Sequence, residues 1–84
     1  MNYFKEIELY QSYTANNNGI DNTPGKDILQ GLIYIRDNYL NPIRERFGSP
    51  VIISSGYRCE KLNKLVGGVS TSNHLYGHAF DLVP

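Results

Sequence analysis

The sequence predicts one small domain in which helices pack on one face of a small sheet. Three observations carry that expectation. Apolar residues recur at helical spacing after Thr23-Pro24, Val51-Ile52-Ile53-Ser54 is short, apolar and β-branched, and the residues beyond Gly77 alternate with a period of two. The order is helix, strand, helix, strand. At 84 residues the chain has room for a single core spanning residues 1–84, because domains of this size bury only about 60% of their unfolded surface.

Residues 3 to 10 mix aromatic and aliphatic side chains with Lys5, Glu6 and Glu8, which fits a short strand or turn followed by one or two helical turns near residues 5 to 11. Residues 14 to 24 are rich in Asn, Gly, Asp and Thr. Such side chains compete for backbone hydrogen bonds, so this stretch reads as a loop. Thr23 then offers a hydroxyl N-cap, and Pro24 a first helical residue whose missing N–H costs nothing. Leu29, Leu32, Ile33, Tyr39 or Leu40, Ile43 and Phe47 follow at intervals of three and four, the pattern of one buried helical face. Pro42 removes a hydrogen bond to an earlier carbonyl, so the helix should kink there or restart with Asn41 as its cap. Gly48 ends it.

After Ser49-Pro50, Val51-Ile52-Ile53-Ser54 reads as a buried strand and Ser55-Gly56-Tyr57-Arg58 as its exit. Residues 59 to 66 carry Leu62, Leu65 and Val66 at helical spacing and stop at Gly67-Gly68, a short second helix. Residues 69 to 73 form a polar loop. Beyond Gly77, alternation sets Ala79, Asp81 and Val83 on one strand face and His78, Phe80 and Leu82 on the other.

Eight basic and eight acidic side chains cancel, so no global field draws the chain to nucleic acid or to an anionic membrane. No stretch reaches the roughly 20 apolar residues of a membrane span, and no apolar signal-peptide run opens the chain. Its compartment stays open. Cys59, the single cysteine, can form neither an internal disulfide nor a paired-thiol zinc site. At a helix start it reads as a small filler rather than a nucleophile.

The residues that carry chemistry gather late in the chain. Imidazole nitrogen and carboxylate oxygen are both zinc ligands, and His74 and Asp81 offer one each. Along one helix their separation would be about 10 Å, and along a strand more than twice that. They can share an ion only if the chain folds back, and Gly77 is the natural place, since it takes φ > 0 at little cost. Asp81, flanked by Phe80, Leu82 and Val83, would be expensive to bury alone. It calls for a metal, a salt bridge to Arg58 or a helix N-terminus. His74 equally reads as a loop or capping residue. Arg58 offers a fork-shaped donor to a carboxylate or polarised carbonyl, or else an internal ion pair. Ser72 can donate to a substrate carboxylate or close its own loop. No hydroxyl has partners placed for a serine triad. His78, on the strand face opposite Asp81, reads as structural or as a support behind a ligand.

Ser54-Ser55-Gly56-Tyr57-Arg58, Leu62-Asn63 with Val66-Gly67-Gly68, and Ser72-x-His74-x-x-Gly77-x-Ala79-x-Asp81 together resemble the consecutive signatures of the zinc D-alanyl-D-alanine carboxypeptidase family. That family includes bacterial and phage peptidoglycan peptidases, in a superfamily shared with lysostaphin and the hedgehog signalling domain. Ser12-x-Thr14-Ala15, Gly19-Ile20-Asp21-Asn22-x-Pro24 and Pro42-x-Arg44 extend the likeness through the N-terminal half. The resemblance implies an α+β fold with helices on a small antiparallel sheet. It implies zinc as cofactor, with His74 and Asp81 as the first two ligands. By the same resemblance Arg58 assists the substrate carbonyl or the developing oxyanion as a catalytic and substrate-binding residue, and Ser72 helps hold the substrate. The expected partner is a peptidoglycan stem peptide or cross-link.

Family members continue beyond the strand that bears the aspartate, into a general-base glutamate and a third-ligand histidine that nothing in this sequence matches. The expectation is therefore the N-terminal part of a longer domain, without its last strands and incomplete as a hydrolase. The alternatives are a non-catalytic relative that binds cell-wall peptides, or a site completed by a second chain. An open sheet edge would also permit self-association.

Overall fold

Residues 2–84 are described by a computed structural model, in which both expected strands form and pair. Strand β1, Ile52–Ser55, runs antiparallel to β2, Asp81–Val83. Ile52 pairs with Val83, Ile53 with Leu82, and Ser55 with Asp81, which leaves Ser54 as a bulged extra residue. One face is covered. Ile53 is buried and Leu82 packs on the core, whereas Ile52, Asp81 and Val83 are exposed. The second strand is shorter than the alternation suggested, because His78 instead donates its N–H to Asn73 O at 3.0 Å.

The core consists of Phe4, Leu9, Leu32, Leu40 and Ile53, with Phe80 and Leu82 packed against it. Leu9, Leu32 and, outside that cluster, Leu62 are the largest fully buried side chains among the described residues. Each such leucine contributes about 1.5–3 kcal/mol relative to exposure. Leu9 ends a 3-10 turn, Glu6–Leu9, that falls within the helical turns expected near the start. The fold is α+β.

A short helix α1, Tyr13–Asn17, occupies part of the stretch read as loop. Ser12 Oγ caps it by accepting the Ala15 N–H at 3.1 Å, and Ala15 is its one buried residue. A single inward side chain leaves no periodicity to detect. Helix α2, Lys26–Ile35, begins after Gly25 rather than at Thr23. The Thr23 N–H is already given to Asp21 Oδ1 at 3.0 Å, which ties Thr23 into the preceding turn.

Pro42 neither breaks the long helix nor makes Asn41 a cap. Helix α2 passes through a π turn, Arg36–Leu40, into α3, Asn41–Phe47, and the Asn41 N–H reaches back to Arg36 O. The wider turn accommodates a proline that has no N–H to give and whose ring crowds the carbonyl four residues earlier. One extra residue advances the helical face by about 100°. Ile43 and Phe47, expected inside, are therefore 49% and 53% exposed, while Asn41 is buried. Its Oδ1 accepts the Tyr3 N–H at 2.9 Å and pins the N-terminal segment. Gly48 ends α3 at φ 77°, as expected.

Helix α4, Glu60–Leu65, buries Leu62 and Asn63 and stops before Gly67. Leu65 and Val66, counted on its inner face, are exposed. A second 3-10 turn, Asn73–Tyr76, follows the polar loop. No described helix is long and apolar enough to cross a membrane.

Candidate metal centre

The turn that joins His74 to Asp81 is built from local parts. Ser72 Oγ accepts the His74 N–H at 3.3 Å and starts the 3-10 turn. Gly77 then reverses the chain at φ 72°. A side chain there would be strained by that φ and would also stand 3.0 Å from Leu32 Cδ2. The reversal sets His74 Nε2 3.5 Å from Asp81 Oδ2.

His74 Nδ1 lies 2.8 Å from Gly56 O. A carbonyl can only accept, so Nδ1 carries a proton, and Nε2 is the ring nitrogen left facing Asp81. This is the orientation imposed on metal-ligating histidines by a carbonyl behind them. Two ligand atoms each about 2.1 Å from a tetrahedral zinc stand about 3.4 Å apart. The observed 3.5 Å matches that spacing and exceeds the 2.7–2.9 Å of a charge-assisted hydrogen bond. The donor pair fits zinc.

Burial does not strengthen the case. The Asp81 side chain is 65% exposed against 12% for His74, so the expected cost of burying the carboxylate does not arise. Nor is the alternative salt bridge made. Among the described residues Asp81 Oδ2 faces His74 Nε2, and no third His, Cys, Asp or Glu joins them.

Arg58 reaches the same place from the exit of β1. Its N–H donates to His74 O at 3.0 Å and its Nη2 to Ser72 Oγ at 3.4 Å, while its buried Nε has no partner. Arg58 and Asp81 line one cleft of about 240 Å³. His74, Asp81, Arg58 and Ser72 thus come together. His78 does not: it is exposed and stacks at a tilt 6.3 Å from the Tyr76 ring, and the group behind His74 is a backbone carbonyl. Cys59 is the N-cap residue of α4, half-buried, and its thiol makes no capping hydrogen bond. Gly56 and Asn22 lie in segments that carry the family resemblance, but residue type and spacing assigned no role to the Gly56 carbonyl or to Asn22, which is buried and bonds residues 57 and 59. Backbone carbonyls carry no residue-type signal, and an asparagine in a polar loop reads as a turn former.

Two ionisable groups outside the ligand pair are shifted. Hydrogen bonds from the Thr23 backbone, then from its hydroxyl, hold the Asp21 carboxyl below 3.8. Burial, and next the charge of Cys59, push the Tyr57 phenol above 10.0. A carboxyl lowered on folding stabilises above its unfolded value and loses that contribution as pH falls through the lowered one. Asp21→Asn should therefore remove a small acid-sensitive step below pH 3.8. Thermal melts at stepped pH would show the wild-type chain losing stability faster there than the variant.

A zinc D-Ala-D-Ala carboxypeptidase from Streptomyces albus G is 43% identical over 44 residues, covering 51% of this chain and 17% of that protein. The chain thus corresponds to a small part of that relative's length. No solved structure shows a significant match. The similarity to the peptidase M15 family runs from residue 2 to residue 84, through both strands, the Arg58 segment and the turn joining His74 to Asp81, and the chain belongs to that family.

Proposed function

We propose that this chain carries the metal-binding and substrate-orienting residues of a zinc-dependent peptidase acting on D-alanine-containing peptidoglycan stem peptides or cross-links. The observation that carries the reading is the His74 ring, held at Nδ1 by Gly56 O with Nε2 presented 3.5 Å from Asp81 Oδ2. His74 and Asp81 hold the ion. Arg58 directs its guanidinium to the substrate carbonyl, and Ser72 steadies that guanidinium through Nη2. Zinc held there supplies Lewis acidity toward a peptide carbonyl. Two protein ligands leave further tetrahedral positions for substrate, water or a group from outside these residues. The substrate class is supported by the name of the Streptomyces relative.

The second reading, a relative that binds cell-wall peptides without cutting them, draws on the lack of a third His, Cys, Asp or Glu at the site among the described residues. One set of measurements tests both. Zinc titration with absorption spectroscopy at the zinc edge should give one ion per chain with one imidazole nitrogen at about 2.0–2.1 Å and a carboxylate oxygen at about 2.0–2.2 Å. Absence of imidazole scattering would overturn the assignment. With the zinc-loaded chain, saturable binding of a peptide ending in D-Ala-D-Ala supports the substrate class in both readings, and release of D-alanine would exclude the relative that only binds.

A further inference from the structure

Asn22 is 7% exposed and uses both ends of its amide. Nδ2 donates to Tyr10 O at 2.7 Å and to Tyr57 O at 2.9 Å, and Oδ1 accepts the Cys59 N–H at 2.7 Å. Tyr57 and Cys59 flank Arg58. From the other side His74 grips the same strip, because its Nδ1 donates to Gly56 O at 2.8 Å and its carbonyl accepts the Arg58 N–H at 3.0 Å. Residues 56–59 lie beyond β1 and have no sheet ladder of their own, so their backbone groups need other partners. Asn22 supplies them on one side and His74 on the other.

Resting on the reading of Arg58 as the donor to the substrate carbonyl, we propose that Asn22 is a positioning residue that clamps the backbone on both sides of Arg58 and holds its guanidinium at the cleft shared with Asp81. The clamp is chemically specific. Asparagine places two N–H donors and an acceptor in one small plane, whereas aspartate would set a carboxylate against two carbonyls. The clamp also links the site to the first third of the chain, since its third hydrogen bond goes to Tyr10 O.

The test compares the ¹⁵N-labelled, zinc-free chain with Asn22→Ala and Asn22→Ser, with the Arg58 Nε–H signal identified by its loss in Arg58→Lys. In the wild-type chain that signal should be dispersed and slow to exchange with water. In the Asn22 variants it should move to the free-arginine position and exchange at least tenfold faster, while the His74 Nδ1–H signal and the core amides persist. Zinc affinity should change less than threefold, and binding of a peptide ending in D-Ala-D-Ala to the zinc-loaded chain should weaken at least tenfold. An unchanged Arg58 signal in a folded variant would overturn the proposal, as would equal loss of the Arg58 and His74 signals, which would make Asn22 a general support. If both variants unfold, exchange of the Cys59 amide in the wild-type chain decides: protection like that of the core supports the clamp, and loop-like exchange overturns it. If Arg58→Lys binds the peptide as tightly as wild type, the substrate role of Arg58 fails, while the spectral comparison still judges the clamp.

Discussion

Gly56→Ala should cost this chain most of its stability. A Cβ at this position would stand 2.2 Å from Leu9 O, 3.0 Å from Leu9 C and 3.1 Å from Phe80 Cε1. The obstacle is space rather than backbone freedom, since the glycines with positive φ are Gly19, Gly48, Gly67 and Gly77. Relief by movement is closed off. Leu9 is fully buried, and its carbonyl already accepts the Tyr57 N–H at 3.0 Å. Overpacking costs about 1–3 kcal/mol, and a buried carbonyl stripped of its donor a further 1–3 kcal/mol or so. Small domains have roughly 5 kcal/mol to lose. Urea titration followed by circular dichroism should show a loss of about 2–6 kcal/mol, or no cooperative transition at all. A midpoint close to wild type would mean that Leu9 and residue 56 are not packed as described.

His74→Ala and Asp81→Ala should each remove zinc binding while differing in what they do to the fold. Loss of an outer hydrogen-bond partner of a ligand already costs about 10–100-fold in metal affinity, so loss of a ligand from a two-residue set should exceed about 100-fold. Their effects on stability separate. His74→Ala leaves the carbonyl of buried Gly56 without its donor, a cost of about 1–3 kcal/mol. Asp81 is 65% exposed, so Asp81→Ala should stay within about 0.5 kcal/mol of wild type. Zinc calorimetry paired with melts in chelator reads both quantities. Undiminished zinc binding in Asp81→Ala would remove the carboxylate from the site.

Much of this site was legible in the sequence because its geometry is local. Six residues lie between His74 and Asp81, and the glycine among them marked where the chain could fold back to let them meet. The ends of α3 and α4 were legible for a similar reason, as Gly48 and Gly67 both take φ near 77°. What escaped was non-local or carried by the backbone. The π turn before Pro42 is a choice between two ways of hosting a proline, and only packing selects it. Asp81 was expected to be buried from its apolar neighbours, yet neighbours along a strand point to opposite faces and say nothing of what covers its own. Asn22 meets its partners at Tyr57 and Cys59 across more than thirty residues of chain, beyond the reach of any spacing rule.

Ser54, the surplus residue of β1, sets the phase of everything that follows it. Its hydroxyl donates to Asp81 O at 3.1 Å, so the irregularity is also fastened to the opposite strand. Downstream of it, residue 56 turns its carbonyl to an imidazole and its bare Cα to Leu9, while residue 57 gives its N–H to the same leucine. The bare Cα at residue 56 suits glycine only. Straightening the strand by a single step would slide a tyrosine into a seat where Leu9 leaves room for nothing larger than hydrogen. One serine out of step thus keeps the whole sequence of assignments in time.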